Sequence, residues 1–301
     1  MKTNRRDLLK AAGAAGMVAM APAVGQLPRN QLNPKFKIRK GRVRQSVMGW
    51  CFKSKPNPVD GPTLAKWAAD IGLAGIEGIA RKDYPAAKKL GLAISLVSSH
   101  GFKTGPFDRA QHTVCRTKLT EAIDVAAAVG CPSVITFTGF SVKGTMPEQG
   151  ARNCVEFWKS MMAVAERKKV NLVLEHLNTR DNSHPMKGHP GYFGDDVDLC
   201  ADLVGRVGSP RMKLLFDIYH VQIMNGDVIR RIGQYQKIIG HYHTAGNPGR
   251  AELDDTQEIN YPAVMRAIVA TDYKGFVTQE FIPTWDDKAA ALRHAAMVCD
   301  V

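Results

Sequence analysis

Short apolar runs alternate with longer amphipathic segments along most of the chain. The first apolar run, "RQSVMGW", predicts a strand, and "TLAKWAADIG" after Pro62 has apolar residues at helical spacing before a terminating glycine. The same pair of patterns repeats until the end of the sequence. The predicted strands are 44–50, 74–79, 92–100, 132–139, 171–177, 212–220, 237–245 and 274–281, each followed by a predicted helix.

Eight strand–helix units in a segment of about 260 residues match the size and order of a closed (β/α)₈ barrel. The sequence therefore predicts an α/β protein whose residues 43–301 form one TIM barrel domain. A doubly wound open sheet is the alternative. That fold usually carries a glycine-rich phosphate-binding turn after its first strand, and the sequence has no such turn there.

The first 42 residues do not follow the alternating pattern. "NRRDLLK" at 4–10, the mildly apolar stretch at 11–21 and the small residues of "APAVGQ" resemble a twin-arginine export signal over residues 1–25. Residues 26–42 read as a polar linker. We expect an exported, periplasmic protein without a membrane span, because the apolar stretch is short and rich in Ala and Gly. An ordinary basic tail is the alternative.

The formal charge of +13 arises from 41 basic and 28 acidic residues. The basic residues are dispersed apart from "KFKIRKGRVR" at 35–44, which is typical of a solvated surface rather than a nucleic-acid-binding face. The six cysteines show neither a C-x-x-C pair nor zinc-finger spacing, so they favour no disulfide pairing. We expect small molecules rather than nucleic acids as partners, and the sequence leaves a homo-oligomer open.

Ionisable residues recur where the predicted strands end. Since parallel barrel strands all end at one face, these side chains should converge on one pocket. The residues, in chain order, are Glu77, His100, Glu175, Asp217, His243 and Glu280. Taken singly, Glu77 fits a loop carboxylate equally well, and His100 fits a hydrogen-bonded loop histidine.

Glu175, Asp217 and Glu280 each close an apolar run, so each should be buried, and a buried carboxylate needs a compensating cation. No Arg or Lys lies at the corresponding strand ends. Together with His243, these carboxylates form an oxygen-rich ligand set that suits one divalent ion: Mn²⁺, Mg²⁺ or Co²⁺ foremost, with Zn²⁺ possible. A salt-bridged polar cluster without a metal is the alternative.

"GHYHTAGNPGR" places two histidines two residues apart before a turn and an arginine. Strand alternation puts His241 and His243 on one face, with His243 nearer the mouth as the better ligand and His241 packed deeper. We expect the turn to bring Arg250 over the mouth to grip a substrate oxygen, unless it is exposed to solvent. His220, three residues after Asp217, should lie on a loop beside the metal, unless it is a surface residue.

The motifs "LVLEHLN", "LLFDIYHVQ", "GHYHTAGNPGR" and "VTQEF" resemble the hydroxypyruvate isomerase family among the xylose-isomerase-like barrels, which include ketose 3-epimerases. The resemblance implies that Glu175, Asp217, His243 and Glu280 bind a metal and that Glu175 and Glu280 also transfer protons. It implies substrate contacts for His220 and Arg250. The isomerases often carry glutamine in place of His243, and the loop after Glu175 is unusually long and rich in histidine.

These observations predict a metal-dependent isomerase for a sugar or hydroxy-keto acid, with proton transfer by Glu175 and Glu280 through an enediolate. His100 and Glu77 are further candidates for substrate contact. The alternatives are a ketose 3-epimerase, a lyase or hydrolase for oxidised sugars, a noncatalytic sugar binder, and an endonuclease-type phosphodiesterase. The last would need two or three metals, and the extra ligand candidates, Glu77, His100, His184 and His189, do not obviously suffice for that.

Overall fold

A computed structural model of the protein describes residues 32–301. The predicted export signal at 1–25 and the first residues of the predicted linker lie outside this described part. The rest of the linker lies against the barrel, where the Asp300 carboxylate accepts hydrogen bonds from the backbone N–H groups of Arg39 (2.9 Å), Lys40 (3.1 Å) and Gly41 (3.0 Å).

The described chain contains eight strands and nine α-helices, and each strand is followed by one α-helix except the sixth, which is followed by two. The strands are β1 Arg44–Val47, β2 Gly75–Ile76, β3 Ala93–Ile94, β4 Ser133–Thr136, β5 Asn171–Glu175, β6 Met212–Asp217, β7 Ile239–Thr244 and β8 Phe276–Gln279. The helices are α1 Gly61–Ile71, α2 Tyr84–Lys89, α3 His112–Val129, α4 Pro147–Lys168, α5 Val197–Val207, α6 Ile218–Met224, α7 Val228–Tyr235, α8 Tyr261–Ala270 and α9 Lys288–Val298.

The strands are all parallel and close into a barrel. Six of them hydrogen-bond in the order β1-β8-β7-β6-β5-β4, and β2 pairs with β3. Single bridges join the two sheets, from Met48 to Glu77 on one side and from Val97 to Val134 on the other. Gly78 permits the first junction, because it has φ +64° and an added Cβ would lie only 2.2 Å from the Met48 sulfur.

Helix capping explains where several helices begin. Five helices, α1, α5, α6, α8 and α9, have an N-cap residue directly before their first residue. The side chain of this residue accepts hydrogen bonds from free backbone N–H groups of the first turn. The capping residues are Asp60, Asp196, Asp217, Asn260 and Asp287. Asp217 therefore both ends β6 and starts α6, which places this carboxylate at the carboxyl end of the barrel.

The apolar core forms two layers. The larger one lies between strands and helices and includes the fully buried Trp158 of α4. The smaller one includes Leu96, Ile135 and Leu215 and ends towards the mouth of the barrel at Phe137 and Leu177. All six cysteines are buried and free, consistent with their use as small apolar residues.

The predicted TIM barrel is confirmed, and each predicted strand contains an observed one. The second and third strands are much shorter than predicted, with two residues each. The predicted sixth strand is too long, because Asp217 caps a helix and residues 218–220 belong to α6. Among residues 32–301, no helix is both long and apolar enough to span a membrane.

Candidate active site

Four side chains meet at the carboxyl ends of β5 to β8. Glu175 is the last residue of β5, Asp217 the last of β6, and His243 lies next to the end of β7. Glu280 follows β8 directly, and its backbone N–H donates to the Thr244 carbonyl. Strand register aligns Asp217 with His243, so the convergence follows from the sheet itself. None of the four residues is more than 4% exposed.

The four residues can each present one ligand atom, and all these atoms lie within 4.8 Å of one another. His243 stands at the centre of the group. Its Nδ1 is 2.8 Å from Glu280 Oε2 and 3.2 Å from Glu175 Oε1. The two oxygens of the Asp217 carboxylate have different partners. Oδ1 accepts hydrogen bonds from the backbone N–H groups of Tyr219 and His220, and Oδ2 faces the cluster.

Arg250 lies inside the site rather than over its mouth. It is 2% exposed, and its Nη2 is 2.5 Å from Glu280 Oε2 and 3.4 Å from Asp217 Oδ2. Its Nη1 donates to the Met186 carbonyl at 2.6 Å. Arg250 therefore pairs with two of the carboxylates, whereas the sequence predicted that it lies over the mouth. The arginine comes from the loop after β7 rather than from a strand end, so the strand pattern did not indicate it.

The backbone of Arg250 is strained, with φ +55°. A left-handed conformation is unfavourable for a residue with a Cβ and is found where surrounding contacts enforce it. Here the Ile282 N–H donates to the Arg250 carbonyl at 2.7 Å, and Gly246 pairs with Ala251 to close the turn. These contacts and the buried ion pairs hold the guanidinium in place.

The carboxyl groups have different pKa values although they lie side by side. Burial, reinforced by Glu280 and Glu175 and opposed by Arg250, raises the pKa of Asp217 to about 7. Burial also raises the pKa of Glu175. The pKa of Glu280 would likewise rise on burial, but Arg250 and His243 outweigh this effect and lower it to about 2. Asp217 and Glu175 thus hold their protons more tightly than Glu280, whose negative charge is paired with Arg250 and His243.

Glu77 lies beneath this cluster, fully buried. Its Oε1 is 2.9 Å from His243 Nε2, and its Oε2 is 3.0 Å from His241 Nε2. Burial alone would raise the pKa of Glu77, but His241 and His243 hold it well below its usual range. His241 is 1% exposed and packs in the interior as predicted.

His220 lies in α6, not on a loop as predicted. Its Nδ1 accepts hydrogen bonds from the Asn178 backbone N–H (3.1 Å) and from Asn178 Nδ2 (2.7 Å), and its Nε2 is 3.5 Å from Asp217 Oδ2. Burial, followed by the charge of Arg250, lowers the pKa of His220 well below its usual range, so the ring is neutral. The Asn178 contacts tie the long loop after β5 to the site.

The remaining predicted histidines differ in position. His100 lies outside the cavity, where its Nδ1 bonds to the Thr104 carbonyl (2.5 Å) and its Nε2 to Thr136 Oγ1 (3.0 Å). His184 is exposed. His189 is 5% exposed and packs against Phe102, with ring centroids 4.2 Å apart. Loop residues such as these have no strand pattern, so their positions could not be predicted.

A cavity of about 190 Å³ opens above the cluster. One wall is charged, and the opposite wall, supplied by β3, β4 and their loops, is apolar. The residues that line it include Glu77, Glu175, Arg250, Glu280, Trp50, His189, Leu96, Phe102, Ile135, Phe137, Leu177 and Met186. Trp50 was missed by sequence reasoning, although its position at the end of the first predicted strand was a usable signal. Its Nε1 donates to Glu280 Oε1 at 3.2 Å, and its ring lies 5.3 Å from the Arg250 guanidinium carbon.

The cluster suits a divalent cation. Three carboxylates supply hard oxygen ligands, and the imidazole presents Nδ1 to the same point because its Nε2 is directed at Glu77. Histidine ligands of metals typically donate their second ring N–H to a carboxylate in this way. Glu175, Asp217, His243 and Glu280 are therefore residues that could hold a metal ion.

Comparisons with known proteins agree with this architecture. A sequence model of the xylose isomerase-like TIM barrel family matches residues 65–299. The chain is 29% identical over 220 residues to a human protein named putative hydroxypyruvate isomerase, covering 67% of this chain and 74% of that one. It is 27% identical to the hydroxypyruvate isomerase of Escherichia coli, covering 72% and 85% of the two chains. Identity to a 2-oxo-tetronate isomerase of Pectobacterium atrosepticum is 24%, with the same coverage.

Solved structures share the fold. A family 2 AP endonuclease from Brucella melitensis superposes with a TM-score of 0.70 at 23% identity, covering 83% of this chain and 97% of that one. A 3-keto-D-glucoside 4-epimerase from E. coli gives a TM-score of 0.70 at 16% identity, covering 85% and 98%. The chain is thus an isomerase that belongs to the xylose isomerase-like TIM barrel family.

Proposed function

We propose that the protein is a metal-dependent isomerase that transfers a proton between adjacent carbons of a small hydroxy-carbonyl compound. One observation carries this proposal: Glu175 and Glu280 both approach His243 Nδ1, at 3.2 and 2.8 Å, and both line the cavity. Two carboxylates beside one reacting centre suit a reversible reaction, because the group that removes the proton in one direction returns it in the other.

Glu175, Asp217, His243 and Glu280 would hold one divalent ion. When bound, such an ion polarises the carbonyl and hydroxyl oxygens of a substrate and so acidifies the C–H bond of the carbon that bears the hydroxyl group. Burial raises the pKa values of Asp217 and Glu175, and a bound cation would supply the positive charge that favours their ionised forms.

The two glutamates carry out the proton transfer at carbon. One, in its ionised form, removes the proton from the carbon that bears the hydroxyl group, which leaves an enediolate, and the other, in its protonated form, delivers a proton to the neighbouring carbon. The hydroxyl proton moves to the former carbonyl oxygen, and the two glutamates recover their starting protonation states by exchange with water, so atoms and electrons balance. Trp50 and Arg250 hold the Glu280 carboxylate in place, and the apolar wall formed by Leu96, Ile135 and Phe137 limits competing water.

The names of the relatives favour hydroxypyruvate or a similar short hydroxy-keto acid as the substrate. A ketose 3-epimerase is the second candidate. It is favoured by the departure noted in the sequence, since this chain has His243 where the resemblance would often imply glutamine for an isomerase. In that reaction, the second glutamate returns the proton to the opposite face of the same carbon.

Deuterium uptake tests the proposal. When hydroxypyruvate or a ketose is incubated with Mn²⁺-loaded protein in D₂O, deuterium should appear at a carbon of the substrate. NMR of the substrate measures this uptake. Glu175→Gln and Glu280→Gln should fold but lose about 10²–10⁴-fold in rate, the usual contribution of a general acid or base. Glu156→Gln, on the exposed face of α4, is the matched control and should retain full activity. Near-normal uptake by either active-site variant would refute its role.

A further inference from the structure

A buried hydrogen-bond network lies directly below the four-residue cluster, with Glu77 at its centre. The Glu77 carboxylate receives four contacts from three different parts of the barrel. His243 Nε2 lies 2.9 Å from Oε1. Near Oε2 lie His241 Nε2 at 3.0 Å, Ser95 Oγ at 2.6 Å and Thr278 Oγ1 at 2.9 Å. Each of these residues is at most 1% exposed.

The protein itself holds most of the Glu77 carboxylate. Three side chains approach Oε2, and His243 is the one side chain of the described residues that approaches Oε1. Glu77 also lines the floor of the cavity, so the predicted substrate contact stays a prediction. Its contact with His243 indicates a further role.

We propose that Glu77 is a positioning residue that fixes the ring of His243 so that Nδ1 faces Glu175, Asp217 and Glu280. This inference rests on the proposed metal-dependent function. A carboxylate at Nε2 requires the proton on that nitrogen and leaves the Nδ1 lone pair for a cation. Ser95, Thr278 and His241 in turn hold the Glu77 carboxylate, so the orientation is set from strands on both sides of the barrel.

The topology supports this assignment. Glu77 follows β2, which lies outside the six-stranded sheet, and it reaches across the barrel interior to β7. The bridge between Met48 and Glu77 fixes its backbone to the end of β1. An unpaired carboxylate would be costly at this depth, and among the partners of Glu77, His243 is the one that also belongs to the four-residue cluster.

Calorimetric titration with Mn²⁺ on chelator-treated protein tests the inference without measuring activity. Glu77→Gln has the same shape, but its amide presents a donor as well as an acceptor to the two histidines. We expect the variant to bind Mn²⁺ about 10–100-fold more weakly than the wild type, the usual effect of losing such a partner. Glu156→Gln, on the exposed face of α4, is the control and should bind Mn²⁺ as the wild type does.

A second measurement uses the wild-type protein and does not depend on the folding of a variant. In ¹⁵N-histidine-labelled protein loaded with Zn²⁺, a diamagnetic probe, His243 should show a protected proton on Nε2 and none on Nδ1. A proton on Nδ1 would overturn the assignment. So would wild-type Mn²⁺ affinity in folded Glu77→Gln, or two ions per chain, which would place a second metal between Glu77 and His241.

The outcomes of these experiments can be distinguished from a failure of the proposed function. Deuterium uptake that depends on Glu175 and Glu280, combined with Mn²⁺ affinity that does not depend on Glu77, would retain the isomerase and reject the positioning role. Failure of the protein to bind Mn²⁺ at all would reject both.

Discussion

The two halves of the barrel are built differently. β6 and β7 have six residues each and belong to a continuous sheet, whereas β2 and β3 have two residues each and join their neighbours through single bridges. The half from β5 to β8 carries Glu175, Asp217, His243 and Glu280. The half from β1 to β4 supplies the apolar wall of the cavity and one buried carboxylate. Regular strands thus position the charged groups, while the irregular half shapes the cavity around them.

This comparison predicts different consequences of substitution in the two halves. In the half from β5 to β8, a substitution should disturb the charge balance of the site and therefore the chemistry. In the half from β1 to β4, a core substitution should lower stability and leave the chemistry of the folded molecules unchanged.

A large effect on stability should come from Arg250→Met. Removing this cation leaves Glu280 and Asp217 buried with fewer compensating charges, which should lower the free energy of unfolding by about 3–5 kcal/mol. Urea denaturation of the metal-free protein measures this. Arg81→Met is the control, because its ion pair with Glu121 is nearly half exposed and should contribute at most about 1 kcal/mol. Equal stabilities of the two variants would contradict the account of Arg250.

Trp158→Ala tests the other half. The indole is fully buried, and its Nε1 donates to Thr136 Oγ1 at 3.1 Å, behind the apolar wall of the cavity. The substitution should lower the free energy of unfolding by about 3–5 kcal/mol through the cavity it creates. Its rate of deuterium uptake per folded molecule should remain at the wild-type value. A loss of rate in fully folded Trp158→Ala would show that the two halves are not separable.

The smallest effect should be that of His189→Gln on how stability depends on pH. Burial, assisted by the charge of Arg250, lowers the pKa of His189 to about 4, compared with about 6.5 in the unfolded chain. Between these values the unfolded state binds more protons, so stability is full above about pH 6.5 and is lost progressively as the pH falls towards 4.

Urea denaturation between pH 4 and 6.5 measures this contribution. In His189→Gln, the free energy of unfolding should fall less steeply as the pH decreases. The difference in slope from the wild type should correspond to at most one proton bound on unfolding. His184→Gln, an exposed histidine of the same loop, should behave as the wild type. Identical slopes for wild type and His189→Gln would contradict the assigned pKa shift.

The sequence was most informative where strands are regular. Glu175, Asp217 and Glu280 follow apolar runs directly, so their burial and convergence could be predicted from alternation and parallel topology. The spacing of His241 and His243 likewise predicted their common face. A local pattern could not show that Glu77 faces two histidines across the barrel, since that depends on contacts between residues more than 160 positions apart.

Loops account for the remaining differences. Arg250 follows a turn whose conformation is set by tertiary hydrogen bonds, so its approach to Glu280 has no sequence signature. His100 was placed at a strand end because the predicted third strand was too long, and the actual β3 ends at Ile94. Asn178 holds His220 through a loop that lacks periodicity. In these places long-range contacts, rather than local preference, determine the structure.

Metal content is the most direct test of the central claim, that Glu175, Asp217, His243 and Glu280 together hold a catalytically required cation. Elemental analysis of the purified protein, combined with deuterium uptake before and after chelation, measures it. We predict about one divalent ion per chain, loss of uptake on chelation and recovery on addition of Mn²⁺. A protein that is free of metal and exchanges substrate deuterium equally well with and without chelator would contradict the account.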